Sequence, residues 1–159
     1  MTSLSPHHFA WIDILARLGA AVAFSLMIGL ERFLNRRPVD FRPFVIVAVT
    51  SCSLVIGLIE GSFAITDPRL SIDVGRVMSG VMTGIGFLGA GALFRESHIV
   101  QGAGSAAAIW AAGAIGIVCG LGLLWLGAIV AGAILILFLL GRPFTDRYHA
   151  GQKKDDEIA

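Results

Sequence analysis

The sequence predicts an all-α membrane protein, a polytopic bundle of five transmembrane helices. Three observations predict it. Hydrophobic residues fill 56% of the 159 positions and charged residues only 14%, where soluble domains carry about 25% charged. So few polar groups cannot cover a soluble domain of this size, and a lipid surround removes the need. The apolar residues also come in long runs. No charged residue stands between Glu96 and Arg142, a gap of 45 residues, enough for two spans of about 20 residues each. These runs lack the apolar-polar alternation of barrel strands. A helix is then the structure that satisfies its own backbone polar groups in lipid.

The first span is residues 11–30. It carries Asp13 and Arg17, and residues 1–10 hold no Lys or Arg. That pattern does not fit a cleaved signal peptide, so the span is expected to be retained. The second span is residues 43–59. The third is residues 77–94, which as a helix of 18 residues measures about 27 Å and approaches the hydrocarbon thickness. Residues 102–118 and 121–140 form the fourth and fifth, a tight hairpin broken at Gly120 and Gly122. A four-span arrangement with a re-entrant piece is the alternative. Residues 1–140 thus form the transmembrane domain, and 141–159 a short polar tail expected to be disordered at its end.

Basic residues set the orientation. With five spans, loop 31–42, loop 95–101 and the tail share one side and carry nine Lys and Arg, against three (Arg17, Arg69 and Arg76) on the other. This places the C-terminus in the cytoplasm and the N-terminus outside.

The densest motif is the run GIGFLGAG from Gly84 to Gly91 in the third span. With Gly80, it makes Gly80, Gly84, Gly86, Phe87, Gly89 and Gly91 a candidate helix-packing surface, or alternatively a pore lining. A second small-residue face runs down the fourth span through Gly104, Ala108, Ala112, Gly116 and Gly120. It suits packing on the third span or on a second subunit.

Charges near a bilayer are costly and invite explanation. Asp13 and Arg17, four apart, can pair on one helix face. With Asp73 and Arg76 they make a candidate charged cluster on the outer side. Glu31, Arg32, Arg42 and Arg95 make a cytoplasmic cluster, in which Glu31 can pair with Arg42 or Arg95. Asp13, Asp73 and Glu31 are the candidate oxygen ligands for a hard cation. The orientation puts Glu31 and Asp73 on opposite faces, so one metal cannot use both. Cys52 and Cys119 read as small apolar packing residues, without metal-type spacing. His7, His8, His98 and His149 sit in tails or loops, outside any triad-like or HExxH context, so no enzyme is expected. The basic loops suit anionic lipid rather than nucleic acid.

Together these motifs resemble the bacterial MgtC/SapB membrane-protein family, from Ala16 to about Gly120. Gly29, Leu30, Glu31 and Arg32 resemble the family's GLERE. Pro38 and Arg42 fall where that family has its loop proline and arginine. Asp73 and Arg76, eleven residues ahead of Gly84 in the case of Asp73, match DPxR before GIGFLGAG. Ser105, Ala106, Ala107 and Trp110 resemble TTAA…W. Phe33 replaces the second acid of GLERE, Val74 replaces the proline of DPxR, and Asp40, Pro43 and Phe44 depart from the usual loop. The chain looks like the short form, without the soluble C-terminal domain.

The resemblance implies a multi-pass protein of the bacterial inner membrane linked to magnesium homeostasis or adaptation to low magnesium. Helix-mediated interaction with other membrane proteins, such as a membrane ATPase, is the expected mode of action. The alternative is a channel or transporter for Mg²⁺ or another cation, with the third helix lining the path. No cofactor is expected beyond Mg²⁺ as a ligand or cargo. The expected partners are membrane lipid and a second copy in a homodimer.

Overall fold

The computed structural model describes residues 5–156, apart from residues 7, 36–39, 65–72, 92 and 97–98; side chains are not described for 64, 94–96, 99–101 and 142–156. Five helices form: α1 (Trp11–Leu34), α2 (Arg42–Ala64), α3 (Val74–Gly91), α4 (Ala103–Gly120) and α5 (Leu124–Asp156). A two-stranded antiparallel hairpin, β1 (Phe94–Glu96) and β2 (Ile99–Gln101), joins α3 to α4.

The five helices match the expected number and order, but α1 and α2 run on to Leu34 and Ala64, past residues 30 and 59, α3 begins earlier, at Val74, and the ends of α3 and α5 also depart from expectation. The third helix stops at Gly91 rather than at residue 94, and Phe94, expected to end the span, instead starts a strand. The fifth helix continues through the expected tail to Asp156. A preformed apolar helix supplies the costly nucleus, so polar residues beyond it need only propagate.

Among the described residues, four segments are long and apolar enough to cross a membrane: α1, Arg42–Phe63 of α2, α4, and Leu124–Gly141 of α5. The third helix is not among these four. Six glycines and Arg76 dilute its 18 residues. It nonetheless takes part in an alternating bundle. Gly116 lies against Ala48 and Gly120 against Cys52, so α2 and α4 run parallel. Arg17 reaches Gly120 while Arg32 reaches Ser105, so α1 runs against α4. The pairs Gly89–Ala106 and Ile85–Gly113 set α3 against α4 as well. Phe24 meets Gly127 and Arg32 meets Phe138, so α5 runs with α1. Below, the N end is where α1, α3 and α5 begin, and the C end is where α2 and α4 begin.

The core is where α4 crosses α1 and α2. Ala21, Ile28, Phe44, Ala48, Cys52, Ala108, Ala112, Ile115 and Cys119 are buried there. The expected small-residue face of α4 is what makes this crossing close. Ala108, Ala112, Gly116 and Gly120 are all buried, and a Cβ on Gly116 would collide with the Ala48 backbone. Small residues at such a crossing let two backbones approach and gain dispersion contacts. α3 leans on α4 and α2 at one side of this core, and α5 leans on α1 and α4 at another.

Candidate functional site

Three places gather the side chains that the sequence singles out: the C end, the N end, and the outer face of α3.

At the C end, α1 finishes with two buried charged residues, Glu31 and Arg32. Arg32 donates from Nη2 to Ser105 Oγ at 3.0 Å, beside Gly104 in the first turn of α4. The Phe138 ring of α5 lies under the guanidinium, 4.8 Å from centroid to Cζ, a cation–π arrangement. A side chain at Gly104 would press on this guanidinium, with a Cβ only 3.1 Å from Nη2. Arg32 therefore ties α1, α4 and α5 together. Glu31 Oε1 accepts from Asn35 Nδ2 at 2.8 Å. Arg42 pairs with Asp40 instead, at 3.4 Å with both side chains exposed. The Arg95 side chain lies outside the described residues. The resemblance had drawn attention to Ser105 only as part of a motif; its bond to Arg32 gives it a physical reason. Asn35 and Phe138 carried no sequence signal for this site, because nothing local links them to Arg32.

At the N end, Asp13 and Arg17 share a helix face but Arg17 turns elsewhere. Its Nη1 donates to the Gly120 carbonyl at 2.6 Å, supplying a partner for one of the last carbonyls of α4. The turn that follows contains Gly122 at φ +85°, with Arg17 packed where a Cβ would sit. Asp13 is exposed in the first turn of α1, where a negative charge suits the helix dipole. Asp73 caps α3: its Oδ1 accepts the Arg76 N–H at 3.0 Å, and its Oδ2 lies 3.9 Å from Arg76 Nε. Asp73 and Arg76 thus start α3, while Arg17 closes the α4–α5 turn. The described contacts do not join the two pairs into one cluster. Among the described residues, no three His, Cys, Asp or Glu side chains come together to hold a metal ion. Asp13 and Glu31 lie near opposite ends of α1, about 27 Å apart along the helix axis.

The glycine run of α3 divides by face. Gly89 packs on the Ala106 carbonyl of α4, and Ile85 inserts beside Gly113. Gly80, Gly84, Gly86 and Gly91 have nothing within 4 Å of where a Cβ would stand. Phe87 is 81% exposed and Leu88 is exposed beside it. Gly80 and Gly84 floor a groove of about 410 Å³ between α2 and α3, walled by Ile46, Leu54 and Leu88. Most of the motif therefore faces out of the monomer. This arrangement can bind an apolar helix or an acyl chain; its lining offers no carboxylate to a cation.

Comparison with known proteins agrees with the motif reading. Residues 18–147 match the MgtC family. The chain is 34% identical over 147 residues to an uncharacterized protein of Haemophilus influenzae, covering 91% of this chain and 60% of that protein. It is 35% identical over 112 residues to Protein SapB of Bacillus subtilis, covering 69% of this chain and 48% of SapB. It is 34% identical over 132 residues to Protein MgtC of Brucella abortus, covering 82% of this chain and 52% of that protein. The chain thus spans between about half and three fifths of the length of these relatives. No solved structure matches.

Proposed function

Because the chain belongs to the MgtC family of membrane proteins, we propose that it acts by helix-mediated association within the bacterial inner membrane, in adaptation to low magnesium. It crosses the membrane five times, with the N end outside and the C end in the cytoplasm. Its partner is a second copy or another membrane protein such as an ion-pumping ATPase.

The observation that carries this reading is the outward face of α3. Four of its glycines are uncovered, an exposed phenylalanine stands beside them, and the helix lies outside the four segments that are long and apolar enough to cross a membrane. A lipid-facing helix gains nothing from glycine, which weakens it by about 1 kcal/mol relative to Ala. A face that packs against another helix gains a close backbone approach. Four acids of the first three helices stand toward helix ends: Asp13 opens α1, Glu31 lies in its last turn, Glu60 lies in the last turns of α2, and Asp73 caps α3.

Crosslinking from position 84 or 87 in native membranes, followed by purification in mild detergent, tests the reading. Defined crosslinked species that disappear when Gly84 is enlarged to Leu are expected. Recovery of the lone chain, with no change in any partner's activity, overturns it. Flux into proteoliposomes tests the competing transport role. Magnesium-dependent flux above that of empty vesicles would establish transport in its place.

A further inference from the structure

The N end of the bundle is crossed by a short non-helical stretch, residues 8–10, which leads into α1. Its backbone is held by a side chain of another helix. Glu60 Oε1 accepts the Phe9 N–H at 2.7 Å, and both carboxylate oxygens lie 3.2 Å from the His8 nitrogen. The His8 ring stacks on Phe63, one turn further along α2, with centroids 3.9 Å apart and planes 12° from parallel. Phe9 meets His8 edge-on at 4.9 Å. The Phe9 ring also covers Arg17, whose Cζ lies 4.0 Å from its centroid. Beyond Arg17 stand the Gly120 carbonyl and the Gly122 turn. A single line of contacts therefore runs from Glu60 through residues 8 and 9 and Arg17 to the α4–α5 turn.

The fastening differs in kind from the rest of the bundle. Residue 10 is extended, and α1 has no side-chain cap at its start. The two backbone donors ahead of it rest on one carboxylate, and the His8 bonds are exposed to solvent. Segments held by few buried contacts and by exposed hydrogen bonds open at lower free energy than the helices beneath them. Charge-assisted bonds from backbone N–H groups to a carboxylate are the strongest of the contacts here.

We propose that residues 8–10 form a reversible strap, latched by the Glu60 carboxylate, that closes the N end of the bundle over Arg17. Closed, the strap sandwiches the guanidinium between Phe9 and the α4–α5 turn. Open, it uncovers Arg17 to reagents and ligands arriving at that end, while the helix bundle stays intact.

Amide hydrogen exchange and arginine modification on the full chain in lipid nanodiscs test this directly. In the unmodified protein, the Phe9 amide is expected to exchange at least ~10-fold more slowly than an unprotected amide. A dicarbonyl reagent is expected to modify Arg17 much more slowly than the exposed Arg76. Glu60→Ala should speed both processes at residues 8, 9 and 17 by about tenfold or more, leaving α2 and α4 amides protected. Glu60→Gln keeps an acceptor oxygen but loses the charge and should fall between. If Glu60→Ala also loses α2 and α4 protection, the Glu60→Gln comparison decides. Unprotected exchange at Phe9 in the unmodified protein would overturn the proposal. So would unchanged exchange and unchanged Arg17 modification in the variant that keeps its helices.

Discussion

Helices α3 and α4 are both rich in glycine, yet they use it in opposite ways. In α4 the small residues repeat every four positions and meet α2 from the inside: Ala112 is fully buried, and Gly116 admits no side chain against Ala48. In α3 the GIGFLGAG run leaves Gly84, Gly86 and Gly91 with nothing within 4 Å of where a Cβ would stand and sets Gly89 against α4. Composition does not distinguish these cases. The difference is whether another backbone of the same chain already occupies the space where a Cβ would go. A filled space makes glycine a requirement of the fold; an open one makes it available to a partner.

Substitutions at graded positions can break or sharpen this contrast. The largest effect is expected for Gly116→Val. Its side chain must displace the Ala48 backbone, so the cost is about 3 kcal/mol, read as a large loss of thermal stability in detergent. Gly113→Ala comes next, at about 1 kcal/mol, because the obstructing atom is the mobile end of Ile85. Gly89→Ala is expected to cost somewhat less, roughly 0.5–1 kcal/mol: its Cβ would lie 3.3 Å from the Ala106 carbonyl oxygen, a squeeze rather than a collision. Gly84→Ala should leave the monomer within about 0.5 kcal/mol of the original, since nothing approaches that Cβ and alanine favours helix. The same substitution should weaken crosslinking through α3. A Gly84→Ala monomer as damaged as Gly116→Val would erase the distinction between the two helices.

Arg17 and Arg32 extend the comparison to charges. Both lie on α1 and both brace α4, at its last and first turns respectively. The charges were legible as anomalies within an apolar chain. Their partners were not. Arg17 can pair with Asp13 by helical spacing, but the carbonyl it reaches is 103 residues away. Arg32 bonds to a serine 73 residues away. Glu60 attracted no attention in the sequence, because a single acid at the end of an apolar run reads as an interfacial charge. Its role depends on the N-terminal stretch folding back across α2. Asp73 was a candidate oxygen ligand by its residue type, yet in the fold it caps the start of α3.

The sequence by itself determined that the chain forms apolar helices, how many, and in what order. Burial of backbone polar groups in lipid leaves helices as the economical solution, and long uncharged runs mark their positions. Spacing by four also identified the packing face of α4, because residues so spaced lie on one side of a helix. Only the tertiary structure decided which glycines are filled and which stay open, and where each arginine finds its acceptor. Those facts depend on distances between segments remote in the chain, and a pattern read along one helix specifies a face without naming what meets it.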